Sequence, residues 1–426
     1  MEIYKSLSNE TGLFIKTTDI LFPDTPKQQI LIYDIDTTSF EAANGCIFMI
    51  GVMFFKDENL CVRHYFSEKI PEESIIIEKF IELAEGFRYL LSYKGESFDI
   101  PFIGKRLYEL QKYTDAAEKL KSLYTRLQSI RSRSVDVFNE INPIKSHLGF
   151  SSTKLDYLRG KLGQKVPERI SGENISKFYV EHIAACKLKK LQEISRAEGN
   201  VGFIAEYEPK PVLDELAHIN PDSGDRFLKD VLLRNRENME AVLYIMKLSH
   251  LFAMRRGEFS TEIKACFSNN SVLDDQNPSS YISVMIRERD FSLELPLKTM
   301  RLDLKQFYMN YKDYYYFPAE DMAVHKSLAE FADSSSKKKA TIKTAYRRVS
   351  GEFVHIPRSF ALSENNKASN RYKADYEAEE YYLPVEELKR LDNERLKELS
   401  FYLTLDYISK NMSIIENDQL CSKIDS

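Results

Sequence analysis

Asp34 and Asp36 close the apolar run Gln29–Asp36 (QILIYDID). If that run is a strand, residues two apart leave the same face, and two carboxylates then stand side by side. Such a pair repels unless a cation neutralises it, and hard cations such as Mg²⁺ take oxygen ligands. A solvated strand end would place the same two residues there with no chemistry attached. A third carboxylate, Asp99, follows the glycine break in Tyr93–Phe102 (YKGESFDIPF) and opens a helix. There it is placed to cap free N–H groups or to join the first pair. Asp136 is a further acid, suited to a helix cap, a strand end or the same cleft.

The C-terminal half offers a different chemistry. Tyr308, Tyr311, Tyr314, Tyr315 and Tyr316 precede Lys337, Lys338, Lys339, Lys343, Arg347 and Arg348. Stacking surface followed by phosphate-seeking charge is what single-stranded nucleic-acid binders combine; a tyrosine-rich strand and a solvated basic loop would read the same way. Glu320 and Asp321 with His325 have the spacing of a helical metal pair, or of a helix cap followed by an ordinary histidine.

These groups need elements to hold them. Strands are predicted at Gln29–Asp36, Cys46–Phe55 and Leu60–Phe66. Pro71, Glu72 and Glu73 then start a helix over Ser74–Gly86. A short strand at Arg88–Tyr93, a helix from Asp99 to Lys112 and a strand at Ser134–Phe138 follow. Helical periodicity runs from Thr153 to Phe252 and is strongest over Arg226–Phe252. Beyond a boundary at Arg255–Gly257, Glu262–Cys266, Ser280–Arg287 and Phe291–Leu304 alternate as strands do. A helix over Asp321–Ala332, a polar basic loop or helix entry and a last helix from Pro384 to Lys410 complete the pattern. The expectation is an α/β mixed sheet flanked by helices in residues 1–254 and a second α+β domain in 255–426.

Composition sets limits on function. A chain of 426 residues with 15 Gly and 14 Pro is neither collagenous nor Pro/Gly-rich disorder, and 43% hydrophobic residues can fill sizeable cores. The net charge of −5 requires any polyanion to meet a local basic patch. Five scattered cysteines without a CxxC pair exclude a zinc ribbon or a disulfide scaffold and suit a reducing compartment. The N-terminal segment lacks the apolar core of a signal peptide, and no window approaches a membrane span, so a cytoplasmic location with no membrane partner is expected.

As an ordered set, the motifs over residues 28–250 resemble the YprB-like ribonuclease H-like family of the DEDD 3′–5′ exonuclease superfamily. The strand motif D-[IL]-E-T-T-G is matched by Asp34-Ile35-Asp36-Thr37-Thr38-Ser39, and the Asn-Gly-x-x-Phe-Asp-Ile-Pro motif by the segment from Tyr93 to Pro101. Ser134–Val137, Lys154-Leu155 and Ile170–Glu173 follow in order. The last helix motif, carrying His-Asn-x-x-Asp, is met by Arg234-Asn235-Arg236-Glu237-Asn238.

The resemblance implies a ribonuclease H-like fold and a metal-dependent phosphodiesterase acting on DNA or RNA, most simply at a single-stranded 3′ end. Two divalent ions roughly 3.5–4 Å apart would activate water and stabilise an in-line displacement. Asp34, Asp36, Asp99 and Asn238 take the four ligand positions for one or two Mg²⁺ or Mn²⁺ ions, and Arg234 stands at the family's histidine. Thr37, Thr38, Gly95, Phe98 and Asn235 would then line the nucleic-acid cleft, with Lys337, Lys338, Lys339, Arg347 and Arg348 as a second basic surface. Three departures count against catalysis. Asp36 is one methylene shorter than the family's Glu, Asn238 withdraws a negative charge, and Arg234 cannot act as a base. The expectation is an exonuclease-type enzyme weakened by Asn238 and Arg234, or a silent module derived from one that grips nucleic acid or a protein.

Overall fold

The structure, a computed structural model, describes residues 2–67, 72–112, 116–164, 179, 181–186, 189, 223–267, 280–288, 291–363 and 371–413. The motif Ile170–Glu173 lies outside them. The chain divides into two compact units, 1–145 with 151–249 and 146–150 with 250–426.

The first unit is built on a mixed sheet in the order β1–β4–β3–β2–β5–β6. Its strands are β1 (Glu2–Leu7), β2 (Ile30–Thr37), β3 (Ile47–Lys56), β4 (Asn59–Phe66), β5 (Tyr89–Ser92) and β6 (Ser134–Asp136). The first four run antiparallel to their neighbours, whereas β2–β5 and β5–β6 are parallel. The edge strand β1 and the helix after it, α1 (Ser8–Leu21), were not anticipated. The mixed polarity of MEIYKSL carries no clean alternation, and partnering by β4 is what makes it a strand.

Helices α2 (Glu73–Ala84), α3 (Asp99–Gln111) and α4 (Ala117–Arg131) follow in the chain, then α5 (Val137–Ile141), α6 (Leu155–Lys161), α7 (Ser223–Met246) and α8 (Ser249–Arg255). One face of β2, through Leu31, Tyr33 and Ile35, joins a core with Ile76, Phe80, Ile103 and Leu127 from α2, α3 and α4. The opposite face of β2 and β3 is crossed by α7. A strand covered on both sides is apolar on both faces, which is why Gln29–Asp36 shows no alternation until its acids.

The second unit contains β7 (Ser260–Phe267), β8 (Ser280–Glu288), β9 (Phe291–Phe307), β13 (Tyr346–Ile356), β14 (Arg371–Lys373) and β15 (Tyr381–Pro384), ordered β13–β15–β14–β9–β8–β7. Since β9 also pairs with β13, the strands β13, β15, β14 and β9 close on themselves around Leu304, Phe353 and Tyr372. A smaller sheet comprises β10 (Tyr314–Phe317), β11 (Met322–His325) and β12 (Lys338–Lys339). Short helices α9 (Lys326–Ala329), α10 (Arg358–Ala361) and α11 (Val385–Leu388) precede the terminal α12 (Asn393–Lys410).

Three expectations change here. Residues 321–325 form a hairpin arm and not a helix, because Asp321 adopts φ +50° and turns Phe317 onto Met322. The basic stretch ends in β13 and is not a helix entry. The last helix is split, because the Asp392 side chain accepts from Arg395 N and caps a fresh start.

Among the described residues, no helix is long and apolar enough to cross a membrane.

Candidate acid cleft

The register Asp34↔Gly51 and Asp36↔Met49 puts both acids on the face of the sheet that α7 crosses. Residues three apart share a helix face, so Asn235 and Asn238 of α7 look down on them together. Asn235 Nδ2 donates to Asp34 Oδ2 at 2.9 Å and to Asp36 Oδ2 at 3.0 Å. Asn238 Nδ2 donates to Asp34 Oδ2 at 3.1 Å. Arg234 Nη1 meets Asp36 Oδ1 at 2.8 Å, its side chain 24% exposed. The pair that the sequence leaves needing a cation thus receives a guanidinium and two amides from its own chain.

This approach depends on Gly51. A Cβ there would lie 1.7 Å from Asn235 Oδ1, so only glycine lets the amide reach across β3 to the acids. With both N–H groups spent on carboxylates, the buried Asn235 Oδ1 has no hydrogen-bond partner among the described residues. Turning the amide over would aim that oxygen at two anions, so its orientation is dictated by the acids.

Asp99 completes the set. It is the first residue of α3, with Phe98 at the cap position and no side-chain cap bond, so the capping role is not taken. The carboxylate is buried, and burial first, then Asp34, Asp136 and Asp36, push its pKa well above the ordinary carboxylate range. Asp34 is raised to about 7, by burial and then by Asp36, against the opposing pull of Asn238 and Arg234. Asp36 is raised by burial despite Arg234 and Asn235. The three acids are thus held together at an electrostatic cost.

Asp136 has a structural task. Its carboxylate accepts from Phe138 N at 3.0 Å, capping α5, and from Lys94 N at 2.7 Å and Glu96 N at 3.3 Å. It thereby fixes the turn that carries Lys94, at φ +65°, and Gly95. A Cβ on Gly95 would fall 2.2 Å from Ser92 Oγ, so the glycine allows the turn to close over β5. Glu237 lies 3.8 Å from the buried Arg159 and Glu240 pairs with Arg236 at 3.0 Å; neither takes the place of Asn238.

Of the proposed cleft contacts, Thr37 Oγ1 donates to Ser39 O and Thr38 Oγ1 accepts from Cys46 N, which shapes the loop after β2. Asn235 is fully buried and acts by positioning the acids. Phe98 packs against Phe40 at 6.3 Å between ring centroids, and Phe40 is 80% exposed. Phe40 escaped the motif reading, although a lone phenylalanine directly after an acid motif is its signal. Glu73 was read as a helix-start acid. It does open α2, and it is also fully buried, holding Arg106 through two 2.8 Å contacts while accepting from Ile47 N. Arg106 in turn holds Ala42 O in the loop that carries Phe40.

In the second unit the basic residues are separately engaged. Arg348 pairs with Asp303 at 3.3 Å and Asp321 at 2.9 Å, and Arg347 donates to Gln306 Oε1. Lys337 donates to Ala329 O and Ala332 O. Lys338 and Lys339 remain exposed on β12, opposite Tyr316 and Tyr315. Asp321 accepts from Tyr316 and Tyr346, and His325 Nδ1 contacts Ser327; the pair holds no shared ligand position.

Divalent ions do not suit this donor set. Both oxygens of Asp36 and Oδ2 of Asp34 face N–H donors, and the amide that would have to present oxygen presents nitrogen. Among the described residues, no three His, Cys, Asp or Glu groups have metal-holding spacing.

Residues 31–196 match the RNase_H_2 family model of the RNase_H superfamily. With the mixed sheet and flanking helices, this makes the first unit ribonuclease H-like and, at superfamily level, nuclease-like. Members of the superfamily generally use divalent metal ions. No curated protein matches the chain. Among solved structures, the family B DNA polymerase of the hyperthermophilic archaeon Pyrobaculum calidifontis aligns with 93% of this chain and 48% of its own, at 13% identity and TM-score 0.29. The chain therefore spans about half the polymerase's length.

Proposed function

We propose that the first unit, within residues 1–254, is a nucleic-acid-binding module derived from a 3′–5′ exonuclease of the YprB-like, DEDD type, in which metal-assisted cleavage has been given up. The observation that carries this reading is the contact of Arg234 with Asp36, joined by the two asparagine amides on Asp34 and Asp36. A guanidinium carries five donors. With one of its nitrogens on Asp36, the partly exposed Arg234 retains others for a backbone phosphate at the cleft. Phe98 adjoins Asp99 in the chain and packs against the exposed Phe40, an aromatic surface of the kind that stacks on bases.

The test is a panel of 5′-labelled single- and double-stranded DNA and RNA with Mg²⁺ and with Mn²⁺. The expected result is retention of a single strand without shortening, with binding weakened by Arg234→Ala. Mn²⁺-dependent shortening that disappears in Asp34→Ala would overturn the silent reading.

A second reading, a working exonuclease with one or two Mg²⁺ or Mn²⁺ ions on Asp34, Asp36, Asp99 and Asn238, is favoured by Asp99. Its buried carboxylate has no hydrogen-bond partner among the described residues, yet it is kept beside the other two acids. This reading requires Arg234 and the amides to be released from the acids. Gain of cleavage in Asn238→Asp would identify that position as a lost ligand.

A further inference from the structure

On the second unit, the register of β14 against β9 sets Arg371 opposite Phe307 and Lys373 opposite Lys305. Directly opposed residues share a face, so cations and an aromatic ring alternate on one side of that sheet. A cavity of about 300 Å³ lies over it, lined by Phe307, Arg371 and Lys373, with Arg358 from α10 and Tyr308, Tyr376 and Tyr381 around them. This lies at the small end of the roughly 300–1,000 Å³ typical of ligand pockets.

Arg358 and Arg371 have no ion pair among the described residues, and Arg371 Nε is buried without a hydrogen-bond partner. Lys373 is only 8% exposed. It donates to Tyr376 O at 2.6 Å and sits against the Tyr376 and Tyr381 rings at 5.6 and 4.9 Å. Its pKa is lowered by burial and then by Arg371, with Arg358 adding to the effect against Asp375 and Glu377. Two carboxylates, Glu377 and Glu379, also line the cavity, but Glu377 is held by Lys343 at 2.6 Å.

Like charges crowded into a partly dry pocket raise its free energy, and an anion relieves it. The walls favour one class of anion. Tyr308 is fixed by stacking on Tyr314, with centroids 4.2 Å apart and planes 6° from parallel. Tyr376 is braced edge-on by Phe307 at 5.8 Å. Rigid aromatic walls beside guanidinium groups suit a planar base joined to a phosphate.

We propose that this cavity binds a phosphorylated nucleoside, with Arg358, Arg371 and Lys373 on the phosphate and Tyr308 and Tyr376 flanking the base. The ligand chemistry is the same whether it arrives as a free nucleotide or as a unit of a single strand. The lining includes no residue of the acid cleft, so the proposal does not rest on the reading of that cleft.

Isothermal titration of the full chain at low ionic strength tests it, using AMP, inorganic phosphate and a short oligothymidylate. Wild type is compared with Arg371→Gln, Arg358→Gln and Arg390→Gln. Arg390 has a side chain 81% exposed and lies outside the cavity lining, so its variant controls for net charge alone. AMP is expected to bind, with Arg371→Gln and Arg358→Gln each weakening it about tenfold and Arg390→Gln leaving it within twofold. Binding of the oligothymidylate but not AMP, with the same loss in the two variants, also supports the site and assigns it to a strand. Should Arg371→Gln lower the thermal midpoint, Arg358→Gln, on an exposed residue, decides in its place. No binding of either nucleotide probe, equal binding by Arg358→Gln and wild type, or inorganic phosphate binding as tightly as AMP would each overturn the proposal.

Discussion

The two charged sites of this protein handle charge in opposite ways. In the first unit, Asp34 and Asp36 are met by Arg234, Asn235 and Asn238 within hydrogen-bond distance. In the second, Arg358, Arg371 and Lys373 crowd together with no carboxylate paired to either arginine among the described residues. A site that satisfies its own charges is stable without a ligand and gains little electrostatic energy from one. A site that leaves like charges together is strained until a counter-ion enters. The Asp34–Asp36 pair is therefore partly quenched by its own chain, although burial still holds both carboxyls above their ordinary range and Asp36 raises Asp34 further, whereas the two arginines of the cavity have no ion pair among the described residues.

The sharpest way to break this contrast is to remove the internal cation. Arg234→Ala leaves Asp36 buried beside Asp34 without its counter-charge. We expect a loss of about 2 kcal/mol, short of the ~3–5 seen for fully buried pairs because the arginine is partly exposed. Urea unfolding at neutral pH measures it. An unchanged midpoint would mean that the guanidinium contributes nothing to the cleft.

Next in size is Gly51→Ala, which forces Asn235 off the acids and should cost about 1–3 kcal/mol through overpacking. In the background of Asn235→Ala the same substitution should cost much less, and a double-mutant cycle reads that coupling. Full additivity would show that the glycine is not there to admit the amide.

Acidity sharpens the contrast further. Burial and Asp36 hold the Asp34 carboxyl near 7 in the fold, against an ordinary value of 3.8. The folded protein thus keeps a proton that the unfolded chain has already released, and ionisation penalises folding. The penalty is absent below the unfolded value, grows as pH rises, and is complete above the folded value. Asp34→Asn removes it. Thermal melts should show the variant gaining on wild type as pH climbs from about 4 to 7, then holding a constant advantage. A gap that is flat with pH would place Asp34 in an ordinary ionised state.

The smallest effect is expected for Arg348→Gln. Arg348 and Asp303 are exposed and Asp321 is half-buried, and surface pairs of this kind contribute about 0–1 kcal/mol. A thermal shift as large as that of Arg234→Ala would erase the distinction between surface pairing and the acid cleft.

Much of this was legible in the residues. The apolar strand ending in Asp34 and Asp36, the glycine turn before Asp99 and the helix carrying Arg234 and Asn238 all sit where periodicity and motif order put them. Other features were hidden. Strand β1 lacks an alternating pattern and depends on β4 for its pairing. The turn at Asp321 converts the first part of an expected helix into a strand and leaves only Lys326–Ala329 helical, because a single left-handed residue outweighs a weak helical period. Glu73 read as a helix-start acid, since nothing local announces that Arg106 waits 33 residues further on.

What the sequence alone determined was the kind of element at most positions and the spacing of two acids on one strand face. Those properties follow from neighbours two to four residues apart, whose side chains share a pleat or a turn. Which group neutralises the acids was decided only in three dimensions. Arg234 and Asp36 are 198 residues apart, and their meeting depends on the space left by one glycine in β3. The cation-lined cavity likewise exists only where β9, β14 and α10 come together. Charge balance falls off with distance in space and not along the chain, so the fold decides which charges are quenched and which are left to a ligand.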